Sequence, residues 1–158
     1  MTSETCPIAV VAEELPERPK PTFGPFTQRL SARQKRVLGD VFGLTNFGVN
    51  LTRLPPGAIS ALRHAHTRQD ELVYILEGEA TLVTDAGETR LRPGMVAGFK
   101  AGAGDAHQLV NRGARDVVFI EVGDRSAGDE VAYPDDDVAA TLGVDGKYHY
   151  RHKDGTPY

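Results

Sequence analysis

Short runs of β-forming residues, separated by glycine-bearing breaks, fill the middle of this chain from Val37 to Gly123. They are rich in Val, Leu, Ile, Thr and Phe, and no stretch among them has the apolar period of an amphipathic helix. The pattern predicts strands at 47–54, 60–66, 71–77, 79–85, 88–91, 95–99, 108–111 and 117–122. Because strands and turns recur at about ten-residue intervals, an all-β sandwich or barrel is expected.

The two flanks differ from this region. Residues 1–36 carry prolines at positions 16, 19, 21 and 25 among charged residues, which argues against a continuous helix or a central strand. A short helix is expected near 138–142. We therefore expect an N-terminal arm at 1–36, the barrel at 37–123, and a C-terminal tail at 124–158 that packs on the barrel or on a partner subunit.

Charge and cysteine content limit the partners and the compartment. The formal net charge of -4 gives no electrostatic case for nucleic-acid binding. One basic cluster is interpreted as a solvated face, with phosphate binding as the weaker alternative; it consists of Arg29, Arg33, Lys35 and Arg36. The lone Cys6 cannot form an intrachain disulfide, and residues 1–5 lack the basic start of a secretory signal. A cytoplasmic protein without a membrane segment is expected.

Three histidines and a glutamate have a spacing that suits a metal site. His64 and His66 lie two apart, so their side chains share one face of a strand. A turn after His66 lets Glu71 begin the next strand facing inward, and His107 begins a later strand that can lie beside the first. This donor set suits Mn, Fe, Co, Ni, Cu or Zn. On spacing alone, a metal site and a chance arrangement of structural or exposed histidines stay equally open.

The spacing also resembles the two sequence motifs of the cupin family. The first motif contains Gly57, His64, His66, Glu71 and Gly78, and the second contains Gly94, His107 and Asn111. The departures lie in turns: Gly57 is one residue further from His64 than usual, Met95 stands where Asp is usual, and the loop at 100–104 lacks the usual proline. The resemblance covers about residues 45–123.

The resemblance carries expectations about fold, cofactor and site. It implies a double-stranded β-helix, a jelly-roll-like barrel, that holds one divalent transition metal, Mn, Fe, Ni, Co or Zn. The implied ligands are His64, His66, Glu71 and His107. Other features of the chain look like those of small single-domain bacterial cupins, which mostly have no assigned reaction.

The surroundings of the ligands are expected to be mostly apolar. Side chains alternate between the two faces of a strand, and this alternation predicts that five residues face inward with the ligands: Leu62, Val73, Ile75, Leu109 and Asn111. No general base is predicted besides the ligands.

Several other polar residues are weaker candidates. Asp105 could orient an imidazole from the second layer, with an ordinary loop residue as the alternative. Arg53 and Arg63 could bind a substrate carboxylate, although strand alternation places Arg63 on the outer face. Strand alternation places Tyr74 on the outer face, where it would contribute to packing or to an interface. Surface positions are expected for His149 and His152.

Two functional hypotheses stay open. The first is a metal-dependent enzyme on a small oxygenated molecule, such as a sugar derivative or a keto or hydroxy acid. The resemblance implies isomerase, lyase or dioxygenase chemistry. The alternative is a non-catalytic barrel that binds or senses a small molecule. A homodimer is expected, because a small barrel leaves sheet edges and apolar strands to cover, and the segment at 37–47 could be lent to a partner.

Overall fold

The computed structural model describes residues 6–20 and 24–158, so the expectations for residues 1–5 and for the proline at 21 lie outside the described residues. The described part contains one short helix, α1 (Thr27–Leu30), and 3-10 turns at Ala12–Glu14, Gly24–Phe26 and Asp40–Phe42. Its strands are β1 (Gln34–Val37), β2 (Phe47–Leu54), β3 (Ala65–His66), β4 (Glu71–Glu77), β5 (Ala80–Thr84), β6 (Gly87–Leu91), β7 (Val96–Phe99), β8 (Gln108–Val110), β9 (Val117–Asp124), β10 (Glu130–Ala132), β11 (Ala139–Leu142) and β12 (Tyr148–Arg151).

The strands pair antiparallel into three sheets. The largest has the order β1-β2-β9-β4-β7, a second has the order β12-β11-β10-β3, and a third has the order β6-β5-β8. The predicted all-β class and barrel are confirmed. Among the described residues, no helix is long and apolar enough to cross a membrane.

Alternation along the strands supplies the main core. On β2 and β9, which pair over their full length, the inward positions include Leu54 and Phe119, both fully buried. They belong to one hydrophobic cluster between the five-stranded and three-stranded sheets, which comprises Leu54, Ala58, Val73, Ile75, Ala80, Leu82, Leu91, Leu109, Val117 and Phe119. Val73 of this cluster lies two residues after the predicted ligand Glu71 on β4, so the core and the predicted site share one face of that strand.

The predicted strand at 60–66 is mostly irregular. Only Ala65–His66 is a regular strand, and the preceding segment forms single bridges from Ile59 to Val110 of β8 and from His64 to His107, just before β8. Leu109 N–H donates to the Ser60 hydroxyl oxygen (2.9 Å), so a side chain replaces part of the backbone ladder.

The predicted helix at 138–142 is wrong, because Ala139–Leu142 forms strand β11. This strand pairs with β10 on one side and with β12 on the other. Both neighbours satisfy its backbone groups, and this tertiary pairing outweighs the local helix preference of alanine and leucine.

The prediction of a strand at 37–47 is also wrong. The strand ends at Val37, and Asp40–Phe42 forms a 3-10 turn that Gly43 closes in the left-handed conformation (φ 69°). The edge strand is β1 instead, and it pairs with β2 of its own chain. It begins at Gln34, inside the segment that was expected to be an irregular arm.

Candidate metal centre

Three backbone segments bring the four predicted ligands together, because His64 and His66 belong to the same one. His64 and His107 form an antiparallel bridge, in which each backbone N–H donates to the other's carbonyl oxygen (3.1 and 2.8 Å). His66 ends β3, and Glu71 begins β4 after the turn that the sequence predicts. The register of β4 sets Glu71 opposite Gly123 of β9, where no side chain competes for the space.

The three imidazoles converge on one carboxylate oxygen. Glu71 Oε2 lies 3.0 Å from His107 Nε2 and 3.5 Å from the Nε2 atoms of both His64 and His66. His64, His66 and Glu71 each offer a ligand atom within 4.8 Å of the other two. His107 joins this group through its short contact to Glu71.

The contacts to Glu71 do not have hydrogen-bond geometry. Its Oε2 atom is buried, and no hydrogen-bond partner for it exists among the described residues. A buried carboxylate oxygen without a donor is costly unless something cationic compensates it.

The Nδ1 atoms of His64 and His66 explain why the Nε2 atoms of these two rings face Glu71 as acceptors. His64 Nδ1 donates to the Leu62 carbonyl oxygen (2.8 Å), which can only accept. His66 Nδ1 lies 2.5 Å from Asp129 Oδ2. Both contacts hold the proton on Nδ1 and leave the Nε2 lone pair directed at the centre.

Asp129 is a functional residue that sequence reasoning missed. Its side chain is fully buried, and besides His66 it accepts the backbone N–H of Arg68 (2.8 Å) and the hydroxyl of Tyr148 (2.8 Å). Asp129 therefore fixes both the ring of His66 and the turn that leads to Glu71. It lies 63 residues after His66, in the tail, and no local spacing signals the contact.

The tail also covers the histidines with aromatic rings. Tyr133 stacks on His64 (centroids 5.9 Å apart), and Tyr148 meets His66 edge-on (6.3 Å). Strand β10 pairs with β3 and sets Val131 opposite His66. The tail is thus part of the site's wall.

Burial and mutual contact shift the acid-base properties of the centre. Burial alone would raise the pKa of Glu71, but positive charge on the neighbouring imidazoles, when they are protonated, outweighs it and holds that pKa well below its usual value. Burial lowers the pKa of His107, and contact with Glu71 only partly offsets this. The centre therefore combines an ionised carboxylate with a His107 ring that favours its neutral form.

The donor spacing fits a bound metal ion. Two donors that each lie about 2.1 Å from one ion are about 3.0 Å apart at a right angle and about 3.4 Å apart at a tetrahedral angle. The observed separations from Glu71 Oε2, 3.0 to 3.5 Å, fall in this range. His64, His66, Glu71 and His107 are thus residues that could hold a divalent metal.

Comparisons with known proteins agree with this geometry. The family model described as "Cupin domain" matches residues 50–123. A sugar phosphate isomerase of the cupin superfamily from Silicibacter pomeroyi has a structure that is 38% identical in sequence, with a TM-score of 0.89; the match covers 95% of this chain and 96% of that one. The chain belongs to the cupin superfamily.

Further comparisons concern mainly the fold. A structure described as "Putative sugar phosphate isomerase" from Acidithiobacillus ferrooxidans is 29% identical, with a TM-score of 0.71 and 80% of each chain covered. The polyketide cyclase RemF from Streptomyces resistomycificus shares the fold at 21% identity and a TM-score of 0.61, with 73% of this chain and 78% of that chain covered. A search of curated protein sequences found no match.

The cupin centre opens into a cavity of about 80 Å³. Part of its wall is apolar, as predicted, with Val73 and Leu109. A polar part was not predicted: Arg33 and Lys35 reach the cavity from the N-terminal segment, and Glu121 reaches it from β9.

The interpretation of the basic cluster as a solvated face is therefore wrong for three of its members: Arg33 and Lys35 line the cavity, and Arg36 is largely buried against Leu15 and Glu17. Lys35 pairs with Glu121, and both side chains are largely buried. Glu121 could have been found from the sequence, because it lies two residues after the inward-facing Phe119 on β9. Arg33 and Lys35 could not, since their segment was not recognised as a strand.

Asp105 lines a small cavity together with His66, Glu71 and His107, but its Oδ1 accepts the backbone N–H of Asp85 (2.9 Å). The carboxylate that orients an imidazole is Asp129. Arg63 points outward, as counted, and binds Asp135 through two hydrogen bonds (2.7 and 2.9 Å).

The remaining side chains also face outward. Arg53 pairs with Asp116 (3.2 Å), and Tyr74 is 43% exposed on the outer face of β4. His149 pairs with Asp145 (3.1 Å). His152 pairs with Asp137 (2.8 Å).

We predict that His64 and His66 carry their protons on Nδ1 in the metal-free protein, because each Nδ1 faces a strong acceptor. Long-range ¹H–¹⁵N NMR at pH 8 measures this directly. Asp129→Asn should shift the tautomer populations of His66 and leave those of His64 unchanged. A predominant Nε2–H form of both rings in the parent protein would contradict the described orientation.

Proposed function

We propose that this cupin is a metal-dependent enzyme that acts on a small oxygenated molecule, such as a sugar derivative or a keto or hydroxy acid. The observation that supports it most directly is the convergence of three Nε2 atoms on the buried Oε2 of Glu71, which has no hydrogen-bond donor among the described residues. The proposed ligands are His64, His66, Glu71 and His107. The similarity to a sugar phosphate isomerase over nearly the whole chain adds support.

A bound divalent metal would act as a Lewis acid on a substrate carbonyl or hydroxyl. The protein must then supply a group that moves a proton. Besides Glu71, Glu121 is the one carboxylate among the described residues that line the main cavity. Its Oε1 accepts the Thr52 hydroxyl (3.2 Å) and pairs with Lys35.

This arrangement suits Glu121 to general acid-base work. Thr52 and Lys35 hold Oε1, and no described residue hydrogen-bonds Oε2, which is left to exchange a proton with the substrate. Proton transfer next to a carbonyl is the shared step of isomerase and lyase reactions. The presence of Glu121 therefore favours an enzyme of this type over the alternative, a non-catalytic binding barrel.

Two further proposals concern the setting of the enzyme. The lone Cys6 is an exposed free thiol, which suits the reducing cytoplasm. The acidic net charge supports small-molecule partners over nucleic acid.

A homodimer is proposed from the outer face of the five-stranded sheet. Five large apolar side chains are exposed on or beside β4 and the edge strand β7: Leu72, Tyr74, Leu76, Met95 and Val96. Tyr74 and Val96 are direct cross-strand partners on this face. A contiguous apolar patch on an edge of a sheet is typical of a subunit interface.

We predict metal-dependent exchange of substrate protons for deuterium. The protein in D₂O would be incubated with a panel of small hydroxy ketones, 2-keto acids and sugar phosphates and followed by ¹H NMR. Exchange into at least one compound should need added metal and should fall about 100-fold or more in Glu121→Gln. Glu88→Gln, on the outer strand β6, is the matched control and should behave as the parent. Binding without exchange across the panel would favour the non-catalytic barrel.

We predict that the parent protein is a dimer at micromolar concentration, measured by light scattering. Val96→Lys should give a monomer, because it sets a charge in the centre of the apolar face. Val144→Lys is the matched control: Val144 is equally apolar and fully exposed, but lies in the β11–β12 hairpin, so the dimer should persist. A monomeric mass for the parent would refute the proposal.

A further inference from the structure

The N-terminal segment sends two cationic side chains into the cavity that holds the candidate metal centre. Arg33 directly precedes β1, and Lys35 is the second residue of that strand. Because they are two residues apart on an extended segment, both side chains point to the same side. Both line the cavity that also contains His64, Glu71 and His107.

The two cations differ in how their charge is compensated. Lys35 pairs with Glu121, which balances it. Arg33 donates a hydrogen bond to the Ser60 carbonyl oxygen, which carries no net charge. Within residues 6–20 and 24–158, no carboxylate forms an ion pair with Arg33.

An arginine in this position is an uncompensated charge. Burial lowers the pKa of Arg33 from its usual value, and the nearby Glu121 only partly offsets this. A guanidinium stays protonated and presents five donors in a planar fork, of which one is used here. An anionic ligand would supply both the missing charge and the missing acceptors.

We propose that Arg33, supported by Lys35, forms an anion subsite in the cavity and that the natural ligand carries a carboxylate or a phosphate beside its metal-facing oxygens. This deepens the proposed function and rests on it for the role of the metal. Charge counting agrees: a divalent ion with one carboxylate ligand keeps a net positive charge, and Arg33 adds another.

The cavity also limits the size of this ligand. Its volume of about 80 Å³ is small beside ligand pockets of about 300–1,000 Å³, which favours a small molecule. The rings of Phe99 and Phe119 line it beside the polar groups and leave few positions for further hydroxyls. A short hydroxylated acid or phosphate ester satisfies both conditions.

The test uses three probes with one three-carbon skeleton: glycerol, glycerate and glycerol 3-phosphate. Their binding to the full chain is measured by isothermal titration calorimetry, with the protein metal-loaded and after chelation. The variants are Arg33→Met, Glu121→Gln and the control Arg36→Met. Arg36 lies on the same strand, but contacts Leu15 and Glu17 outside the cavity.

We expect one of the two anions to bind and glycerol not to bind, and the tighter anion identifies the group as carboxylate or phosphate. Arg33→Met should weaken that anion at least about tenfold, because a charge-assisted hydrogen bond is lost. Arg36→Met should leave the affinity unchanged. Glu121→Gln should tighten binding of the anion, because it removes the carboxylate that neutralises Lys35. A folding defect would weaken binding, so it cannot produce this result.

The outcomes separate the subsite from the metal. Equal anion affinity before and after chelation would count against the metal-dependent function and leave the subsite standing. The subsite is overturned if neither anion binds saturably, if glycerol binds as well as the anions, or if Arg33→Met binds as tightly as the parent. If Arg33→Met fails to fold, unchanged or weaker binding in Glu121→Gln overturns it instead.

Discussion

The arrangement of the site depends on one buried oxygen atom, Oε2 of Glu71. Three imidazole nitrogens face it at 3.0 to 3.5 Å, and none of them donates a hydrogen bond to it. A buried carboxylate oxygen without a donor is unfavourable by itself, and the Nε2 lone pairs of His64 and His66 that face it add repulsion away from water. It becomes favourable when a cation occupies the centre, and the surrounding structure holds the donors ready for that state.

The two chain termini contribute to this preparation as much as the barrel does. From the C-terminal side, Asp129 fixes the ring of His66 and the turn before Glu71, while Tyr133 and Tyr148 cover the histidines. From the N-terminal side, Arg33 and Lys35 give the cavity its positive wall. The barrel alone would present the four predicted ligands without the groups that orient them or that would select a ligand.

The sequence predicted what depends on local pattern. Period-two alternation and glycine-bearing turns indicated most strands of the barrel, with β2 and β4 found at their observed bounds. The spacing of His64, His66 and Glu71 indicated that these side chains meet, because a strand and one turn separate them. His107 was a candidate because it begins a later strand, and the family resemblance strengthened it, since only the barrel topology brings that strand to His64.

Contacts between distant segments were beyond local pattern. Asp105 was the candidate for orienting an imidazole because it is close in sequence to His107, yet Asp129 fills that role from the tail. The basic cluster was interpreted as solvated because its strand, β1, is short and follows a proline-rich segment. The tail strand β11 was predicted as a helix because its sequence contains no sign of the strands that pair with it on both sides.

Elemental analysis of the protein, purified without chelators or a histidine tag, tests the central claim most directly. We expect about one equivalent of a divalent transition metal, lost in His64→Ala and retained in His149→Ala, because His149 is exposed in the tail. Absence of metal from the parent even after reloading, or equal metal in the parent and His64→Ala, would contradict the account.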